Sequence, residues 1–91
     1  KVLAYDAAPH PFYSELLDFD YVPLEELLGR SDVITLHVPL NEKTLHMINA
    51  DSLAKCKERL LLINTARGAL IDTAAVTDAL DRGQIVGLGL D

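Results

Sequence analysis

The chain has 91 residues, room for one domain, and 49% of them are hydrophobic, so a core can form. The net charge is −6, which lacks the basic face that nucleic-acid binding needs, and no apolar run is long enough to cross a bilayer. The one cysteine, Cys56, excludes an internal disulfide and a zinc site built on several cysteines; a reducing, cytoplasmic setting fits it best.

In chain order, residues 2–5 form a short apolar run of strand length, closed by Asp6. Residues 12–17 predict a short helix. Pro23, with Glu25 and Glu26 behind it, predicts a second over 23–28, with Gly29 as its stop. Residues 33–38 read as a strand, 50–55 as a short helix and 60–63 as a strand. The best helix covers 73–82. Asp72 caps it, Ala74, Ala75, Val76, Ala79 and Leu80 give it an apolar stripe, and Gly83 ends it. Residues 85–90 form the last strand.

No repeat or linker divides the chain, which has five Gly and four Pro. Strands that alternate with helices imply right-handed crossovers and an α/β fold, a Rossmann-like doubly wound parallel sheet. None of the strands alternates cleanly between polar and apolar, so both faces are expected to be buried. An apolar run begins directly after Lys1 and another ends at Asp91. Domain ends are usually polar and exposed, so both ends read as cuts through a longer protein, and so short a chain is marginal alone.

Ligands of open α/β sheets bind beyond the carboxyl ends of the strands. Asp6 follows the first strand; Val38, Pro39, Asn41 and Thr44 follow the second; Asn64, Thr65, Ala66, Arg67 and Gly68 follow the third; Asp91 follows the fourth. Parallel strands put all four groups on one edge. Asp6 suits the two hydroxyls of an adenosine ribose, or a cap. With Ala7 and Ala8 beside it, it favours NAD over NADP, whose 2′-phosphate it would repel. Arg67 offers a planar fork to a carboxylate, or a surface pair to Asp72. Gly68 would allow an unusual backbone turn. Asn64 and Thr65 can bond a ligand or tie down the turn, and for Asn64 the turn is the better reading. His37 reads as structural, since no orienting partner stands beside it. His10 and His46 read as loop residues, and Cys56 as a small side chain. No metal site is expected.

Residues 36–40, with Thr44 and Met47-Ile48-Asn49 behind them, resemble one motif of the D-isomer-specific 2-hydroxyacid dehydrogenases. Residues 62–72, reading LINTARGALID, resemble that family's central signature, and residues 79–80, 83–85 and 87–91 its continuation. The resemblance runs the whole chain, and its wording is closest to the D-lactate dehydrogenases. It implies a partial NAD-binding domain over 1–91, with the Gly-rich phosphate loop and first strand before Lys1 and the substrate domain outside this chain. Asp6 would then hold the ribose, Val38 and Pro39 the nucleotide with Thr44 nearby, Thr65 and Ala66 the nicotinamide side, and Asp91 the carboxamide. Arg67 would clamp a small 2-oxo acid and polarise its carbonyl as hydride arrives from NADH. The family's glutamate and acid/base histidine would follow Asp91, so these residues alone are expected not to turn over. The resemblance also implies a homodimeric parent.

Pyruvate and D-lactate are the expected pair. The alternatives are hydroxypyruvate or glyoxylate, or an NAD-sensing corepressor on the same scaffold. A phosphoacceptor receiver needs more acids than Asp6 beside the first strand. Relatives usually carry Pro-Gly before the third strand; Glu58-Arg59 stand there in this chain.

Overall fold

A computed structural model describes residues 2–90. The elements run β1 (Leu3–Ala4), α1 (Pro11–Leu17), β2 (Asp20–Tyr21), α2 (Leu24–Arg30), β3 (Val33–Leu36), α3 (Ala50–Ala54), β4 (Leu60–Asn64), α4 (Thr73–Asp81) and β5 (Ile85–Leu90). A 3-10 turn, Gly68–Leu70, follows β4. Every strand pairing among the described residues is parallel. This is the expected α/β class. The sheet comes in two pieces, β1-β2 and β3-β4-β5. Between them lies a cavity of about 410 Å³ whose walls include Leu3 and Ala4 of β1 and Ile34, Thr35 and Leu36 of β3.

The core belongs to the larger piece. Ile34, Leu36, Leu60, Leu62 and Ile85 from the strands meet Leu28, Leu53, Val76 and Ala79 from α2, α3 and α4. Leu62 is 0% exposed at the centre of β4. Three helices sharing one core lie on one face of the sheet, which corrects the expectation of burial on both faces. The opposite face carries Val33, 52% exposed, and Leu61, 40% exposed, side by side in register with Gly87. No helix among the described residues covers them, and β3 and β4 therefore alternate in burial despite their apolar sequence. A Cβ at Gly87 would stand 2.8 Å from Leu61 Cδ2, so a larger residue there would displace the exposed Leu61 side chain.

The helices obey local chemistry. Asp72 caps α4 as expected, its carboxylate accepting the Ala74 and Ala75 N–H groups. Gly83, at φ +81, closes that helix in the left-handed region where glycine is favoured. The apolar stripe is narrower than expected: Val76 and Ala79 are buried and Ala75 half-buried, but Ala74 and Leu80 face solvent. At 100° per residue, position 80 falls on the flank of the stripe set by 75, 76 and 79, and position 74 falls nearly opposite it.

Gly29 does not stop α2. The helix runs on to Arg30, which pairs with Glu26 one turn back, and Ser31 N–H closes it on Leu27 O. Without a left-handed φ, Gly29 is an ordinary helical residue. The strand expected over 33–38 ends at Leu36, because Val38 precedes Pro39 and the chain turns there. The two-residue strand β2 was not expected: one polar and one aromatic residue make no apolar run, and only its pairing with β1 defines it. Arg59, at φ +64, takes the left-handed conformation in the turn before β4.

One feature of the packing prepares the site. His46 N–H donates to Ala69 O, Ile48 N–H to Leu70 O and Asp72 N–H to Ile48 O, with Ile48 and Ile71 forming a parallel bridge. These bonds staple the loop after β3 to the loop after β4. Asn49 and Ser52 then form a reciprocal capping box that starts α3.

Candidate functional site

The carboxyl ends of β1, β3 and β4 bring most of the candidate residues to one edge. A cavity of about 590 Å³ is lined by His37, Val38, Pro39, Leu40, Ala66 and Arg67. The cavity beside β1, which contains Asp6, is also lined by His37 and Val38. The two cavities thus adjoin at His37-Val38 and form one crevice. A carboxylate stands on one arm and a guanidinium on the other.

Each side chain has a definite local setting. Asp6 is exposed, and its Oδ1 accepts the Ala8 N–H at 2.9 Å. That bond orients the carboxylate and leaves Oδ2 for a ligand. Pro39 begins a stiff loop. Asn41 Oδ1 accepts the Lys43 and Thr44 N–H groups, while Thr44 Oγ1 donates to Pro39 O at 2.6 Å and accepts the Asn41 N–H at 2.9 Å. The Thr44 hydroxyl is therefore engaged inside its own loop and lines neither cavity; its contribution is to hold Pro39.

Arg67 is exposed on the wall of the larger cavity. Its side chain makes one hydrogen bond among the described residues, a weak one, Nη1 to Ala66 O at 3.5 Å. The alternative pairing with Asp72 is not formed, since Asp72 is turned toward the backbone of α4. A guanidinium with all but one corner uncommitted fits a bidentate anion. Gly68 takes no left-handed φ and instead opens the 3-10 turn, which any residue's φ allows; a Cβ there would meet open space. The unusual backbone expected of it is thus absent.

Asn64 is 3% exposed and ties down the turn, as expected: Nδ2 donates to Arg67 O at 2.7 Å and Oδ1 accepts the Ala66 N–H at 3.1 Å. Thr65 is exposed one residue beyond β4. Asp91 lies outside the described residues. His37 is more involved than its strand-like context suggested. It is exposed beyond β3, lines both cavities and bonds Thr35 Oγ1 through Nε2 at 3.0 Å. The signal available for it was Pro39 two residues on, which ends the strand. Cys56 lies away from the crevice, half-buried, where burial pushes its thiol up from the ordinary 9.0. Among the described residues no three His, Cys, Asp or Glu side chains gather as a metal site.

The family described as D-isomer specific 2-hydroxyacid dehydrogenase, NAD binding domain, matches residues 1–91. The chain belongs to this family. Among relatives of this dehydrogenase domain, a glyoxylate reductase of Korarchaeum cryptofilum is 44% identical over 91 residues, covering all of this chain and 27% of the relative. The crystal structure of a D-lactate dehydrogenase from Treponema pallidum superposes with a TM-score of 0.94 at 44% identity, over 100% of this chain and 27% of that one. That of a D-lactate dehydrogenase from Aquifex aeolicus, complexed with NAD and lactic acid, gives 0.93 at 47% identity with the same coverage. The chain spans about a quarter, 27%, of the length of these relatives.

The residues of this NAD-binding domain fit a dinucleotide. The crevice runs from the Asp6 side to the Arg67 side through His37 and Val38. Its Asp6 arm offers a free carboxylate oxygen, and Val38, Pro39 and Ala66 give its middle an apolar lining.

Proposed function

We propose that the parent protein transfers hydride between NADH and a small 2-oxo acid, and that this chain supplies its cofactor crevice and its substrate-clamping arginine. The observation that carries the reading is Arg67: a guanidinium without a carboxylate partner among the described residues, on the wall of a cavity that adjoins the one holding Asp6. The nicotinamide supplies the hydride when NADH is bound. Asp6 accepts hydrogen bonds from the ribose hydroxyls, and Val38 and Pro39 contact the nucleotide between the two arms. Thr44 acts through Pro39. Thr65 and Ala66 border the nicotinamide side, and Asp91 receives its carboxamide.

Arg67 holds the substrate carboxylate and faces the carbonyl oxygen. Negative charge grows on that oxygen during reduction, so a fixed cation there favours the transition state over the ground state. The proton for that oxygen comes from an acid/base histidine, oriented by a glutamate, in the larger part of the parent.

The relatives named above divide between D-lactate dehydrogenase and glyoxylate reductase. Pyruvate and glyoxylate are accordingly the two acids to compare, with pyruvate favoured by the wording of the sequence. We further place the parent in the cytoplasm as a homodimer. The lone half-buried thiol supports the first reading and the family resemblance the second. Fractionation and light scattering test them. No helix among the described residues is long and apolar enough to cross a membrane.

The decisive experiment is NADH oxidation by the purified parent, with pyruvate, hydroxypyruvate, glyoxylate and a bulkier 2-oxo acid in parallel. Fastest turnover with pyruvate is expected. A different preferred acid corrects the substrate; tight NADH binding without turnover overturns the enzymatic reading in favour of an NAD sensor.

A further inference from the structure

We infer that Asn64 is a positioning residue for Arg67, setting the substrate clamp rather than merely stabilising the sheet; this rests on the reading of Arg67 given above. Asn64 is the last residue of β4 and one of two buried polar side chains among the described residues, the other being Gln84. Its amide spends both ends on one short stretch of chain. Nδ2 reaches forward to Arg67 O, and Oδ1 takes the Ala66 N–H. The backbone on both sides of the Ala66–Arg67 peptide is thereby referenced to the buried end of the central strand.

The Arg67 side chain has no such anchor. It is exposed, and its weak contact to Ala66 O does not fix its direction. Where the guanidinium points is therefore decided by where the backbone at 67 is held, and Asn64 holds it. The Ile48–Ile71 staple fixes the far side of the same loop, beyond the 3-10 turn. The Leu70 N–H also reaches Arg67 O at 3.1 Å from within the 3-10 turn, and among the described residues Asn64 is the side chain that ties that backbone to the end of β4. No substrate or cofactor contact is required of it, since both polar ends of its side chain are already used.

A positioning role gives a signature that a structural one does not: the effect must pass through Arg67. The test is a double-mutant cycle in the full-length enzyme, reading kcat, KM for the 2-oxo acid and Kd for NADH. Asn64→Ala should lower kcat/KM by about 10–100-fold, the scale of a misplaced positioning group, with NADH Kd changed by less than about threefold. In the Arg67→Gln background the same substitution should cost less than about threefold.

Equal losses in both backgrounds, or a loss of NADH affinity that matches the loss in kcat/KM, would overturn the inference while leaving Arg67 in the site. If Arg67→Gln alone leaves kcat/KM unchanged, the functional reading itself fails and takes the inference with it. Should Asn64→Ala not fold, Asn64→Asp carries the same comparison. It keeps an acceptor for the Ala66 N–H and sets a carboxylate oxygen against Arg67 O.

Discussion

Arg59→Gly should make the protein more stable without touching its site. Arg59 sits at φ +64 in the turn before β4, at the end of the strand opposite Arg67. An L side chain in that region costs about 1–2 kcal/mol, which glycine avoids. Glycine returns about 0.4–1 kcal/mol through the larger freedom of the unfolded chain. Little else is lost, because the Arg59 side chain is exposed and makes no ion pair among the described residues. The net gain is about 0–1.6 kcal/mol, centred near 0.8, or roughly 2–3 °C in Tm for a larger protein. Thermal and urea unfolding of the parent would read it, with Arg59→Ala as the control. Alanine retains a Cβ, so it should not stabilise. A Tm for Arg59→Gly at or below that of Arg59→Ala would refute the argument from backbone strain.

Three further outcomes are expected. Asp6→Ala should weaken NADH binding about tenfold or more and NADPH binding less, because the lost carboxylate favours ribose hydroxyls and repels a 2′-phosphate; equal effects in fluorescence titrations would remove Asp6 from the ribose. Gln84→Leu should destabilise by about 0.5–1.5 kcal/mol in urea titration, since buried Gln84 Nε2 donates to Leu53 O at 2.6 Å and that carbonyl would keep only the Cys56 N–H. Cys56 should react slowly with iodoacetamide at neutral pH, because burial raises its thiol. The folded state holds that proton more tightly than the unfolded state, so stability is intact below pH 9.0 and declines above it. Urea midpoints compared with Cys56→Ala should fall relative to the variant between pH 9 and 10; a constant difference would contradict this.

The larger sheet piece was legible in the sequence because its signals are local. Apolar runs at strand length, the Asp72 cap and the Gly83 stop each act within a few residues, and the structure keeps them. The convergence of these candidate residues was legible because a parallel sheet places all strand ends on one edge, which carries Val38, Pro39, Ala66 and Arg67 to one cavity. What failed depends on distant partners. The uncovered face with Val33 and Leu61 reads as apolar in sequence, and only the placement of the helices reveals that it is bare. The strand β2 exists through β1, and α2 passes Gly29 because its hydrogen bonding continues to Arg30 and Ser31. Thr44 was placed near the nucleotide, and the bond from its hydroxyl to Pro39 O depends on a loop conformation that residue types do not encode.

No residue before Leu24 belongs to the core or packs directly against it among the described residues, and α1 has no buried residue at all. In residues 2–90 taken alone, the unit β1-α1-β2 therefore opens locally at lower free energy than β3, β4 and β5, which open with the core. Amide hydrogens at 20 and 22, which bond to β1, should exchange with deuterium long before those along β4. The crevice thus has one soft wall, bearing Asp6, and one firm wall, bearing Arg67. A ligand that touches both spends part of its binding free energy on quieting the soft wall, so its affinity also measures how well that wall is already held. Substitutions in α1 or β2 that never meet the ligand then shift its affinity through order alone.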